Sequence, residues 1–346
     1  MKKLSKIYFW ILYSIFIFSL CSCPMSSKEL IEKHTKGVKR AVLTVGIVQN
    51  GQMSFKVYGE NAKERQKTEH IYEIGSITKA FTGQLFARAI HEGLIVIEDL
   101  DKTIDKYLDL PPKNYYPTIR RLLTHTSGYR SDYYWGFISS TNFILEGQLI
   151  DGVTKKMVLD LIGTINLENK DYPWMYSNTG IAVAGFVLEK IYNEDFTSLM
   201  NRYIKNYLGM NNTIISDERG DLSNYWEHGD GNPYIPAGAI KSTITDMMLF
   251  AKMQLVGTPD YVIHSHNDWY KFDQSVKDIH ILDSMGLAWF KDSVNNIIWH
   301  GGTTATYHSY LGFDKTRDIA VVVLSNVGNY NASALAIGAK VLKELQ

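Results

Sequence analysis

The chain has 346 residues, 45% of them hydrophobic, and carries 36 Lys+Arg against 36 Asp+Glu. That length and apolar share are enough to bury a core in one large domain or two, which excludes a disordered chain. Balanced charge leaves no basic field, so nucleic acid is not an expected partner.

Lys2, Lys3 and Lys6 precede an apolar run from Ile7 to Leu20 that is interrupted only by Ser14 and Ser19. A basic n-region followed by an apolar h-region is the pattern of a signal peptide. The run is shorter than the roughly 20 residues a membrane-spanning helix needs. It ends in Leu20-Cys21-Ser22-Cys23, and these are the only 2 cysteines. An exported mature chain without a disulfide is the expectation. Without residues 1–22 the chain keeps 33 basic against 36 acidic residues and stays nearly neutral. Residues 26–36 are polar and read as a tether followed by a first helix.

From Ala41 to Val48 the residues are apolar and largely β-branched, and after Asn50-Gly51 the run Met53 to Tyr58 alternates. Two such runs around Asn-Gly predict a β-hairpin. Ile77, Phe81 and Leu85 recur at helical spacing, with Phe86, Ala89 and Ile90 widening the stripe and Gly93 where a C-terminal cap would stand. Residues 95–280 read mainly as helices and loops, including the helical runs Ile119 to Leu123, Ile181 to Ile191 and Met247 to Leu255. Four short strand-like runs follow, at Leu287 to Phe290, Ile297 to Trp299, Tyr307 to Phe313 and Ile319 to Ser325, and then a helix from about Ala332 to Leu345. Strands at both ends around a helical middle predict an α+β fold, with one antiparallel sheet formed from both chain ends and flanked by helices.

The stretch Ile74-Gly75-Ser76-Ile77-Thr78-Lys79 opens the helix after the hairpin. Three residues apart on a helix, the Ser76 hydroxyl and the Lys79 amine share one face. A serine is a weak nucleophile at its own pKa, and a partly desolvated amine beside it can take its proton. The competing reading makes Ser76 a helix N-cap and Lys79 a first-turn lysine. Two further patterns are Tyr176-Ser177-Asn178, just before the helix at Ile181, and His300-Gly301-Gly302-Thr303, after the strand-like Ile297 to Trp299. No Gly-x-Ser-x-Gly, His-Glu-x-x-His or phosphate-cradling glycine loop is present, which removes support from elbow-type hydrolases, zinc peptidases and nucleotide enzymes. His264-Ser-His266 with Asp268 carries ligand types at close spacing but reads as a solvated loop, and His125 as a structural hydrogen-bonder. Neither a metal nor a cofactor is expected.

In this order and spacing the three patterns resemble the serine β-lactamase and penicillin-binding protein superfamily, most closely its class C-like branch, which also holds DD-peptidases and esterases. Leu122 to Gly128, Leu208-Gly-Met210, Pro236 to Thr243 and Leu324-Ser-Asn326 fit the same branch. The resemblance implies an α/β/α sandwich of the β-lactamase/transpeptidase type. Residues 40–94 and 281–346 would form its sheet region and 95–280 a mainly helical insertion, after a signal peptide at 1–22 and a tether at 23–39. It implies acyl transfer with Ser76 as nucleophile and Lys79 and Tyr176 managing protons, Tyr176 as a phenolate-like base whose pKa the Lys79 charge lowers. Asn178 would bond the Lys79 amine or the substrate. The backbone N–H groups of Ser76 and Thr303 would hold the oxyanion, and Gly301 and Gly302 would let the strand edge approach the substrate.

Class C β-lactamases have lysine where His300 stands. Histidine is mostly neutral at pH 7, which disfavours the carboxylate of a β-lactam. The activity implied is therefore D-Ala-D-Ala carboxypeptidase-like or esterase-like, with a class C-like β-lactamase and a non-turnover penicillin-binding or sensor protein as alternatives. The substrate would be a small molecule or a peptidoglycan peptide. Cys23 resembles the modified cysteine of a bacterial lipobox, which implies a lipid anchor on the membrane, facing the periplasm or the cell exterior.

Overall fold

The computed structural model describes residues 25–131, 152–229, 231–328 and 333–346. Residues 1–24, with Cys23, and residues 132–151, 230 and 329–332 lie outside the described residues. The first element is helix α1 (Ser27–Thr35), opened by a reciprocal capping box between Ser26 and Glu29. Leu30 and Ile31 are buried, so the first helix expected after the tether packs against the core. Strands β1 (Leu43–Gln49) and β2 (Gln52–Tyr58) form the expected hairpin. Asn50 and Gly51 both take positive φ, as a two-residue turn of the primed type requires.

Next come β3 (Glu64–Arg65), β4 (Tyr72–Glu73) and, after a single 3-10 turn over Gly75–Ile77, helix α2 (Thr78–His91). The helical middle supplies α3 (Ile119–Leu123), α4 (Lys155–Thr164), α5 (Asn178–Tyr192), α6 (Phe196–Asn206) and α7 (Ile235–Gly238). After β5 (Lys241–Ser242), which pairs with β4, come α8 (Ile244–Val256) and α9 (Tyr261–Ser265). The chain then runs through β6 (Tyr270–Lys277), β7 (Ile281–Met285), β8 (Phe290–Asp292), β9 (Ile297–Thr303), β10 (His308–Asp314) and β11 (Ile319–Ser325) to α10 (Ala334–Leu345).

The main sheet has nine strands in the order β3-β2-β1-β11-β10-β9-β8-β7-β6, and every pairing is antiparallel. The hairpin from the N-terminal side joins the C-terminal strands through β1 and β11, where Val45 lies opposite Val323. Period-two alternation divides the core. Ile319, Val321 and Val323 face α1 and α10, whereas Ala320, Val322 and Leu324 join the larger core on the opposite face. Helix α10 lies over β10 and β11 and α8 over β11 and β1, so helices cover both faces of the sheet. The fold is therefore the α+β sandwich expected. No helix among the described residues is long and apolar enough to cross a membrane.

Two details differ from expectation. The C-terminal run of sheet strands begins at Tyr270, inside the range read as helical, because β6 is an edge strand whose residues are mostly exposed and carry little alternation. The run Leu287 to Phe290 becomes strand only at its last residue. Leu287 to Trp289 form a buried loop with Ala288 at φ +57°, whose N–H groups go to Ser265 and Leu123 carbonyls. A short apolar run is compatible with either outcome.

Candidate active site

Ser76 sits in the 3-10 turn ahead of α2, and the N-cap position, Ile77, makes no side-chain cap bond. The N-cap reading of Ser76 is thereby removed. Its Oγ lies 2.9 Å from Lys79 Nζ, which also donates to the Ala237 carbonyl of α7 at 2.6 Å. Helix α7 is held to α2 a second time by Thr82 Oγ1 donating to the Pro236 carbonyl at 2.8 Å. The turn itself is fastened on two sides, by the Ile74 N–H to the Ile240 carbonyl and by Ser309 Oγ to the Ile74 carbonyl at 2.7 Å.

Lys79 is fully buried, and among the described residues no carboxylate pairs with it. Desolvation holds its pKa well below the ordinary lysine value, toward the neutral amine. Tyr176 stands beside it, with Nζ 4.9 Å from the ring centroid. Burial pushes the Tyr176 phenol up, and a hydrogen bond with Ser76 offsets only part of that rise. This corrects the expected phenolate tuned by a lysine cation: both groups are driven to their uncharged forms by the same loss of water.

Ser177 caps α5 by accepting from the Gly180 N–H at 2.9 Å, which places Tyr176 just ahead of the helix. Ser131 joins the two sides of that cap, donating to the Tyr176 carbonyl and accepting from the Asn178 N–H. The Lys79 bonds run to Ser76 and Ala237, so Asn178 is near the site but is not the amine's partner. His125, at φ +60°, accepts the Ser177 N–H through Nδ1, and its ring lies 4.6 Å from that of Tyr176.

Along β9, Ile298 belongs to the core on the α2 side, and Ile297 and Trp299 to the core on the α10 side. Alternation then places His300 and Gly302 toward the site. His300 stacks on Phe290 with ring centroids 4.6 Å apart and lies 6.5 Å from Tyr176. Its Nδ1 is 2.7 Å from the Gly301 carbonyl, which can only accept, so Nδ1 carries the proton and Nε2 keeps its lone pair. Burial lowers the His300 pKa to about 3. His300 is therefore neutral throughout the physiological range.

The two glycines are required by close packing. A Cβ on Gly302 would overlap the Ile74 carbonyl oxygen, and one on Gly301 would meet Leu335 of α10 at 2.8 Å. They seat β9 against the nucleophile turn and the helix behind it. A Cβ on Gly75, whose φ is +50°, would stand 2.8 Å from the Thr303 nitrogen. The Ser76 and Thr303 peptides are thus neighbours. Among the described residues no group of three or more His, Cys, Asp or Glu could hold a metal. His266 is turned to Gln254 and Lys315, and Asp268 pairs with Lys291.

Residues 28–345 match the model of the Beta-lactamase family. The chain belongs to the β-lactamase family. Among curated proteins it is similar to Protein flp of Staphylococcus aureus strain COL, 24% identical over 312 residues that make up 82% of this chain and 59% of that protein. It is also similar to Penicillin-binding protein 4* of Bacillus subtilis strain 168, 27% identical over 165 residues covering 47% of this chain and 34% of that one. The chain thus spans about 59% of the length of the first of these relatives. Among solved structures, the octameric penicillin-binding protein homologue of Pyrococcus abyssi superimposes with a TM-score of 0.69 at 20% identity, covering 88% of this chain and 73% of that one. The class C β-lactamase of Rhodobacter sphaeroides gives 0.68 at 18% identity, with 92% and 98% covered. These likenesses establish the fold, and family membership supports a serine hydrolase of amide or ester bonds.

Proposed function

We propose that this member of the β-lactamase family is a serine hydrolase that works through an acyl-enzyme on Ser76, acting as an esterase or as a D-Ala-D-Ala carboxypeptidase-like enzyme. The observation that carries the reading is the buried Lys79 amine, 2.9 Å from Ser76 Oγ and, among the described residues, without a carboxylate partner. In acylation Oγ bonds to the substrate carbonyl carbon while its proton passes to the neutral amine. The N–H groups of Ser76 and Thr303 hold the oxyanion. Collapse breaks the bond to the leaving alcohol or amine, which receives a proton through the Tyr176 phenol. Water then repeats the sequence on the acyl carbon, releasing the acid and restoring Ser76.

His300 supports the esterase side of this reading. A neutral imidazole stands where a β-lactamase would present a cation, so a substrate carboxylate gains no charge pairing there. Intact mass after exposure to a penicillin and, separately, to an activated ester tests the proposal. A transient adduct confined to Ser76 and absent in Ser76→Ala is the expected result. A permanent penicillin adduct without ester turnover would favour a non-turnover sensor, and rapid penicillin turnover a β-lactamase. Equal activity of Ser76→Ala and the wild type would sink the serine mechanism.

The location we propose is a bacterial membrane surface, facing the periplasm or the cell exterior, with Cys23 lipidated. The basic and apolar run ahead of Leu20-Cys21-Ser22-Cys23 supports it. A Cys23→Ser protein that still partitions with membranes would count against the anchor.

A further inference from the structure

From Tyr176 an aromatic surface runs outward, and its other rings take no part in the hydrolytic steps. The Tyr176 and Phe290 ring centroids are 6.3 Å apart, Phe290 and Trp174 6.2 Å, Trp174 and Phe272 5.8 Å, and Phe272 and Tyr270 5.1 Å. Phe290 is buried, whereas Trp174, Tyr270 and Phe272 are each only partly buried. The far end belongs to β6, the edge strand, where Tyr270 and Phe272 fall on one face by alternation. The near end, Tyr176, is the group that hands a proton to the leaving group in the reading above.

At the inner end the ring stacked on Phe290 is the neutral His300, which offers a carboxylate no charge pairing. At the outer end Asp273 acts on Tyr270, while Asp171 is paired with Arg120 and Arg121. Partly buried aromatic faces in series, joined to a reacting centre, supply apolar lining of the kind that orients small-molecule substrates.

We infer that Trp174, Phe272 and Tyr270 form the leaving-group subsite, and that the substrate is an uncharged ester or amide whose alcohol or amine portion is aromatic or bulky and apolar. The assignment to the leaving-group side follows from position, since the surface continues outward from Tyr176. It rests on the serine-hydrolase reading. Transition-state contact with the rings then adds to kcat/KM only for substrates that carry such a leaving group.

Ethyl and 2-phenylethyl esters of the same short acid test this, because their alcohols have similar acidity and differ in apolar surface. The wild type is expected to favour the phenylethyl ester by about tenfold or more in kcat/KM, the scale of burying one aromatic ring. Phe272→Ala and Trp174→Ala should each shrink that ratio, and Phe272→Leu should retain more of it than Phe272→Ala. A ratio near one in the wild type, or a preference that survives both alanine variants, overturns the subsite while leaving the serine mechanism standing. Hydrolysis that is unchanged in Ser76→Ala would instead remove the mechanism and the subsite with it.

Discussion

The Lys79 amine donates to the Ala237 carbonyl at 2.6 Å, and this bond fixes which way the amine points. With one N–H committed to α7 and Ser76 Oγ 2.9 Å away, a neutral Lys79 can turn its lone pair to the serine hydroxyl. Desolvation holds the lysine pKa down, so the competent base is present above that lowered value and is lost as pH falls through it. The kcat/KM profile for a neutral ester should therefore show an acid limb that belongs to Lys79. Lys79→Met should erase the limb and cost about 10²- to 10⁴-fold in rate, the usual worth of a positioned base. A pH–rate series on both proteins checks it, and an acid limb surviving in Lys79→Met would assign the base elsewhere.

Tyr176 makes the complementary case. Its phenol is pushed up by burial, so it stays protonated at neutral pH. Tyr176→Phe should lower kcat by about 10²-fold or more, as expected of a lost proton donor, without introducing or removing an alkaline limb. An alkaline limb in the wild type that vanished in the phenylalanine variant would mean that Tyr176 works as the phenolate.

Much of this arrangement was legible in the residues. Asn50-Gly51 announced the hairpin, the Ile77, Phe81, Leu85 stripe announced α2, and the three short patterns announced the neighbourhood that contains Ser76, Tyr176 and His300. Other features had no side-chain signal. The acceptor for Lys79 is a backbone carbonyl at Ala237, which any residue would supply. Strand β6 is exposed along most of its length, so alternation could not reveal it. The sign of the Lys79 and Tyr176 shifts depends on burial, which only the tertiary structure sets. Formal charge suggested a cation tuning a phenolate, and desolvation reversed both directions.

Gly302 tests how tightly the sheet must seat on the nucleophile turn. A Cβ there would overlap the Ile74 carbonyl, itself bonded to Ser309 Oγ, so a methyl group must push β9 away from the turn. Gly302→Ala should slow Ser76 acylation by about 10²-fold, comparable with loss of one oxyanion donor, because Thr303 moves with the strand. It should also lower stability by about 1–3 kcal/mol through overpacking. Ester kinetics and thermal melts measure the two effects separately, and wild-type acylation in Gly302→Ala would show that the Thr303 peptide is not part of the oxyanion site.

Buried histidines couple the stability of the fold to pH. Burial lowers the pKa of His280 to about 4, of His308 to about 4 and of His300 to about 3, against an ordinary value of 6.5. Each is neutral in the folded state, whereas the unfolded chain takes up a proton as pH drops below 6.5. Between pH 6.5 and about 4 the unfolded state therefore binds more protons, and stability must fall as pH falls. Each of the three contributes up to about 1.4 kcal/mol of loss per pH unit in that window. His280 is hydrogen-bonded to Tyr310 Oη at 2.7 Å, so His280→Gln preserves a polar partner while removing one titration. Urea melts from pH 7 to 4.5 should show a steep loss of stability in the wild type and a shallower slope in His280→Gln. Identical slopes in the two proteins would mean that His280 already carries its proton in the folded state.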